Sequence, residues 1–317
     1  GRPLKPMRIG ALASLLIASA CVQAQEPRIE TIEHPAPGVS DTPIRVRVYL
    51  PPDYQATQAR YEVLYVNDGQ DMDAVGMAEL LRRLDARHAI ERIIVVAIDM
   101  PPDRMGGYGL FDRSKGESIP APTKYGEVGR NAEPYARWLT STVVPDIDAR
   151  YRTVPSADGR SLLGWSLGAL SAFGIGWQYP ELFGRVGAFS PSFWLAADTT
   201  DASTVQATRI VHRLVDASAP IPRPRLFFGI GTDEEADDRD GDGVIDVLDD
   251  ARDLLEGWNA PDGSPRHGVR PEPQRGGRDD AVLFLLQGGR HQQASWARML
   301  PAFLQWAYSV EPLPPSK

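Results

Sequence analysis

The sequence predicts an α/β fold: one doubly wound, mostly parallel sheet with helices on both faces. Three observations carry that expectation. Apolar runs of strand length recur along the chain, and several are continuous rather than alternating, as strands buried on both faces require. Helical patterns lie between them, and strand alternating with helix builds a parallel sheet. With 317 residues and 42% hydrophobic content, the chain can bury a substantial core in one large domain.

Residues 1–24 read as a signal peptide with upstream residues. A basic start at Arg8 leads into an apolar run from Ile9 to Ala20, and Val22-Gln23-Ala24 makes a small-residue cleavage site. The run is too short for a permanent membrane helix. Cleavage would remove Arg2, Lys5 and Arg8 and take the formal charge from -8 to -11. It would also remove Cys21, the only cysteine, leaving residues 25–317 as a cysteine-free domain suited to export to the periplasm or beyond. The rival reading acylates Cys21 as a lipoprotein, against which Ala18 is a weak residue three positions earlier. The acidic balance argues against nucleic acid or an anionic membrane as partner.

Strands are expected at 44–50 (IRVRVYL), 62–66 (EVLYV), 92–99 (RIIVVAID), 161–164 (SLLG), 185–190 (RVGAFS), 225–231 (RLFFGIG) and 281–287 (AVLFLLQ). Helices are expected over MAELLRRLDARHAI, over EPYARWLTSTVVPDIDARY, after Ser166, and over QASWARMLPAFLQWAY at the C-terminal end. Residues 101–131 break the rhythm. They are rich in Gly and Pro, show no period, and read either as a substrate-covering loop or as a floppy insertion.

At 160–175, GRSLLGWSLGALSAFG, an apolar strand meets Gly164-Trp165-Ser166-Leu167-Gly168 and turns at once into a helix. Glycines two before and two after the corner remove side chains that would collide as the helix packs back on the sheet. The serine hydroxyl then stands alone beside the positive end of the helix. That is the geometry of a nucleophile elbow, and such an elbow needs a base and an acid.

Five histidines allow elimination. His34 precedes the expected sheet, His88 belongs to a helix, His212 falls in an irregular connection, and His267 lies in a polar loop. His291 alone follows the last strand and precedes the final helix, at the carboxyl end of a strand, and is the candidate base. The acid should follow the strand RLFFGIG, where Asp233, Glu234, Glu235 and Asp237 all qualify. Two backbone N–H groups should hold an oxyanion: Leu167 after the serine, and Gln70 (or, less favourably, Asp71) in the turn NDGQD.

With these residues in order, the chain resembles the "putative esterase" family of α/β-hydrolases, which includes enterochelin esterases, S-formylglutathione hydrolases and feruloyl esterases. RVRVYLPPDY and YEVLYVNDGQD resemble its opening strands and oxyanion turn. VVPDIDARYRT resembles the helix before the elbow, and LLGWSLGALSAFGIGWQYPELFGRVGAFSPSFW the elbow and following strand. GTDEE resembles the acid loop, and GGRHQQASWARMLPAFLQW the histidine and last helix. The resemblance implies an α/β-hydrolase fold. It places the acid third after Gly231, on Glu234 rather than Asp233, and it carries the oxyanion donors to Gln70 and Leu167. Trp165 stands where the family often has a small residue, and Ala169 where it often has a second glycine, which bears on substrate size.

The segment DRDGDGVIDVLD, 238–249, has calcium-loop spacing: acids at positions 1, 3, 5, 9 and 12, and glycine at 6. It is similar to loops of the EF-hand and dockerin type. The expected ligands are Asp238, Asp240, Asp242, the carbonyl of Val244, Asp246 (directly or through water) and Asp249, holding a structural Ca2+ that steadies the acid loop. No cofactor is expected for catalysis. The function expected is an exported serine esterase acting on a small-molecule or carbohydrate-linked ester. Acyl transfer by the same triad is one alternative. A non-catalytic, calcium-dependent carbohydrate-binding module on this fold is the other.

Overall fold

The computed structural model describes residues 27–220, 222–270 and 280–310. Eight strands form the main sheet: β1 (Arg28–His34), β2 (Ile44–Leu50), β3 (Val63–Val66), β4 (Ile94–Ile98), β5 (Arg160–Trp165), β6 (Arg185–Phe189), β7 (Arg225–Gly231) and β8 (Ala281–Leu286). Their order is β1-β2-β4-β3-β5-β6-β7-β8. β2 pairs antiparallel with β1 and β4, and the other neighbours are parallel. This is the α/β-hydrolase arrangement expected. Strands β3, β4 and β5 are buried along their whole length, so their continuous apolar runs follow from being covered on both faces.

The covering layers split the core in two. On one face, helix α2 (Leu167–Gln178) brings Phe173 and Trp177 against the sheet, alongside Ile147 from residues 132–150. On the other, α1 (Met77–Ala86) and α4 (Gln293–Tyr308) supply Leu80, Leu84, Met299 and Phe303. A further helix, α3 (Asp246–Glu256), follows the acidic insert and packs into the first of these layers through Leu254 and Leu255.

Four differences from the sequence expectations have physical reasons. β1, RIETIEH, was not expected, because a polar edge strand carries no apolar run. The long helix after residue 132 contains a widened turn, Leu139–Val143, between α-helical halves. Pro145 lies just beyond it and has no N–H to continue an ordinary ladder. Residues 101–131 are no floppy insertion. They form a short helix, Arg104–Gly107, and two small hairpins at 110–119 and 121–128, anchored by buried Tyr108, Leu110, Phe111, Ala121 and Val128. Finally, His34 ends β1 with its Nε2 2.6 Å from Asp146 Oδ2, and His212 lies fully buried in the helix Ile210–Asp216. Burial, helped by the Arg209 charge, lowers the His212 pKa well below the usual imidazole value.

Among the described residues no helix is long and apolar enough to cross a membrane. The expected signal segment 1–24, with Cys21, lies outside the described residues.

Candidate active site

The corner after β5 has the strain that the sequence implies. Ser166 takes φ 59° and ψ -126°, a conformation L-residues seldom adopt, and its N–H is held by the Phe189 carbonyl at 3.0 Å. A Cβ on Gly164 would lie 2.1 Å from the Gly168 carbonyl oxygen, and one on Gly168 would lie 2.9 Å from Asp68 Oδ2. Both glycines are therefore required by close approach. Leu167 is the first residue of α2, so its N–H has no partner within the helix and faces outward with the positive end of the dipole.

Three chain segments meet at the serine. His291 Nε2 lies 3.0 Å from Ser166 Oγ, and His291 Nδ1 lies 2.9 Å from Glu234 Oε1. Glu234 Oε2 accepts a hydrogen bond from Gly231 N at 2.7 Å, which fixes the carboxylate on its own loop. That carboxylate is 2% exposed and the imidazole 44% exposed. Asp233, the rival acid, is exposed, with its N–H on the Gly289 carbonyl. The acid and histidine loops can run this close because Gly231 and Gly289 face each other: a Cβ on Gly231 would lie 2.4 Å from Gly289 backbone atoms. A serine hydroxyl so bonded to an imidazole, itself bonded to a carboxylate, can pass its proton to the ring as it attacks an electrophile.

The turn after β3 lies beside this centre. Among the described residues the Gln70 N–H has no acceptor, whereas the Asp71 N–H is spent on the Asp68 carbonyl at 2.9 Å. Of the two candidates, Gln70 is thus the one with a free donor. The Gln70 side chain bridges Asp68 Oδ1 and the Met100 N–H.

Sequence reasoning missed what holds this turn. Asp68 sits in the left-handed region at φ 55° and is 1% exposed on its side chain. Arg104 meets its two oxygens at 3.0 and 2.8 Å, and its N–H donates to the Tyr108 hydroxyl. Burial works against the Arg104 charge, and the hydrogen bonds and charge of Asp68 more than offset it, holding the guanidinium above its ordinary value. Next door, Asn67 Nδ2 donates to the Gly168 carbonyl and Tyr135 donates to Asn67 Oδ1. Turn and elbow are therefore stitched together. The unexpected Trp165 has a role here too. Its indole N–H donates to Asp71 Oδ2, and its ring stacks at 5.5 Å on Trp296, which meets the His291 ring edge-on at 5.4 Å.

In the acidic insert, carboxylate oxygens of Asp238, Asp240, Asp242 and Asp249 lie within 4.8 Å of one another. Asp249 Oδ2 is buried without a hydrogen-bond partner, and burial together with the Asp242 and Asp240 charges pushes this carboxyl up to about 7. Four of the expected ligands converge in a set of hard oxygen donors suited to calcium. Asp246 does not join them. It starts α3, and its Oδ1 turns back to accept from the Arg239 N–H at 2.7 Å.

Three comparisons place this geometry among known proteins. A family model described as "Putative esterase" matches residues 39–307. Protein YbbA of Bacillus subtilis (strain 168), described as uncharacterized, is 25% identical over 198 residues, covering 60% of this chain and 68% of that protein. Among solved structures, the enterobactin esterase FES from Shigella flexneri aligns with a TM-score of 0.66 at 16% identity, over 90% of this chain and 60% of its own. An IroE-like serine hydrolase from Shewanella oneidensis aligns with a TM-score of 0.59 at 20% identity, over 88% and 79%.

Proposed function

The chain belongs to the family described as "Putative esterase", and from that premise we propose that it is an exported serine esterase working through an acyl-enzyme on Ser166. The observation that carries this reading is the unbroken hydrogen-bonded path from Ser166 Oγ through both nitrogens of His291 to Glu234. The serine hydrolase and esterase names of the similar structures lend it support.

In this mechanism His291 Nε2 takes the Ser166 proton as Oγ attacks the ester carbonyl. The N–H groups of Leu167 and Gln70 bind the oxyanion, and Glu234 orients His291 and stabilises its charged form. His291 then gives the proton to the departing alcohol. Water enters at the exposed imidazole face, loses a proton to Nε2, and releases the acid while restoring Ser166.

The acidic insert is proposed to hold a structural Ca2+ through Asp238, Asp240, Asp242 and Asp249, steadying the loop that carries Glu234. Export rests on residues 1–24, and N-terminal sequencing of the protein from the culture medium or periplasm tests it. The catalytic reading is tested with p-nitrophenyl esters of graded chain length, wild type against Ser166→Ala. A fall in kcat on the order of 10⁴-fold or more is expected. Undiminished turnover by Ser166→Ala would move the nucleophile elsewhere.

A further inference from the structure

The His291 ring has two hydrogen bonds, and acyl transfer to the serine takes one of them away. At rest Nε2 faces Ser166 Oγ and Nδ1 faces Glu234. Once Oγ carries the acyl group it has no proton to share. Among the described residues the ring then keeps one hydrogen bond, to Glu234, about which a side chain 44% exposed is free to swing. Deacylation still needs it in place. Water bonds the acyl carbon as its proton passes to Nε2, and that proton moves on to Oγ as the acyl–Oγ bond breaks.

One side chain is placed to hold the ring through that interval. Trp296, near the start of α4, meets the His291 ring at 5.4 Å with 83° between the planes. It is itself held on two sides. Its ring stacks on Trp165 at 5.5 Å and 17°, and the Trp165 indole is tied in turn to Asp71. The Trp296 indole N–H donates to Ser190 Oγ at 2.8 Å in a buried bond. Ser190 takes φ 46°, in the left-handed region, at a corner that is 1% exposed. A non-glycine residue persists in such a conformation where its surroundings fix it. Here the Ser190 N–H is bonded to the Gly229 carbonyl at 2.7 Å, and the hydroxyl meets the indole. Trp296 is 8% exposed, so its contacts are largely shielded from water.

We propose that Trp296, its indole fixed by Ser190, is a positioning residue that holds His291 in the acyl-enzyme and so serves deacylation more than acylation. In acylation Ser166 and Glu234 already align the imidazole between them. In deacylation Glu234 and Trp296 share that task. The proposal rests on the acyl-enzyme reading of Ser166, and it names what keeps the base in place after the serine is occupied.

Stopped-flow release of p-nitrophenol from p-nitrophenyl acetate separates the two steps, acylation as a burst and deacylation as the steady rate. Wild type is compared with Trp296→Phe, Ser190→Ala, the double variant, Trp306→Phe and Ser166→Ala. Trp296→Phe and Ser190→Ala should each slow the steady rate about tenfold and the burst rate less than about threefold, so kcat and KM fall together. Intact mass should show acetylated protein accumulating in both. The double variant should be no slower than either single one, because all three lose the same contact. Burst amplitude counts the folded sites, so a poorly folded variant lowers the amplitude without mimicking the rate effect, and Ser190→Ala decides if Trp296→Phe fails to fold. Trp306 lies on the same helix against Phe227 and Phe303, and Trp306→Phe should leave both rates near wild type. Equal slowing of burst and steady rate, a steady rate unmoved in both variants, or the same selective loss in Trp306→Phe would overturn the proposal. Turnover surviving Ser166→Ala would instead sink the reading it rests on, so the two failures are separable.

Discussion

The two loops that flank Ser166 solve opposite electrostatic problems. On the oxyanion side, the buried Asp68 carboxylate is met by Arg104, by Gln70 and, through the backbone, by Tyr108, so charge and hydrogen-bonding capacity are used up. On the acid side, Glu234 is equally well held, yet a few residues on, the carboxylates of Asp238, Asp240, Asp242 and Asp249 converge on one another. One wall is complete within its own side chains, while the other has an excess of negative charge that the folded chain does not neutralise. The difference is that the first side is paired within its own side chains, whereas the second gathers carboxylates that the proposed calcium would pair.

The largest effect should come from breaking the complete side. Arg104→Gln leaves Asp68 buried beside a neutral amide, and removing one partner of a buried pair costs about 3–5 kcal/mol, lowered to roughly 2–3 here because the guanidinium is 28% exposed. Since Gln70 hangs on Asp68, kcat should fall at least about tenfold with KM little changed, and Arg104→Lys should restore part of it. Urea denaturation with steady-state kinetics reads both, and a KM effect alone would deny Arg104 its positioning role.

Next comes the cation. With calcium at about 100 times its Kd, a chelator should cost about 2.7 kcal/mol of stability. Thermal melts with EGTA against added calcium measure it, and Asp242→Asn should lose most of the calcium response. A melting temperature blind to EGTA would leave the insert a plain solvated loop.

The smallest effect is at Glu235. Burial, with the charges of Asp246 and Asp237 adding, pushes its carboxyl up from 4.5 to about 7. Its ionised form is thus disfavoured in the fold, so the penalty is absent below about pH 4.5, grows as pH rises, and is complete above about 7. Glu235→Gln, which can still accept from the Val247 N–H, should be more stable than wild type at pH 8 by about 1 kcal/mol once solvent screening is allowed for. The two should converge near pH 5. Melts in EGTA across that range decide it, and a gap that widens towards acid would reverse the sign argued here.

Legibility followed the same division. Buried parallel strands announce themselves by continuous apolar runs, and the elbow by two glycines whose missing side chains the backbone contacts at Gly164 and Gly168 explain. His291 was reached by position alone. What stayed hidden had no periodic or motif signal. The edge strand β1 is polar, the hairpins at 110–119 and 121–128 have three-residue strands, and the Arg104–Asp68 pair joins residues 36 apart. Trp165 looked like a departure affecting substrate size, but its indole ties Asp71 to the histidine-bearing layer. The calcium-like spacing led to four converging acids, while the carboxylate of Asp246, at a helix start, accepts from the Arg239 N–H instead of lying among them.

The central claim is that Ser166 is the nucleophile. The most direct measurement is the intact mass of wild-type protein after exposure to a fluorophosphonate, followed by peptide mapping, with His291→Ala as control. A single adduct on Ser166, lost or greatly slowed in the His291 variant, is the predicted result. An adduct on another residue, or equal labelling of Ser166 without the imidazole, would contradict the hydrogen-bonded path as the source of its reactivity.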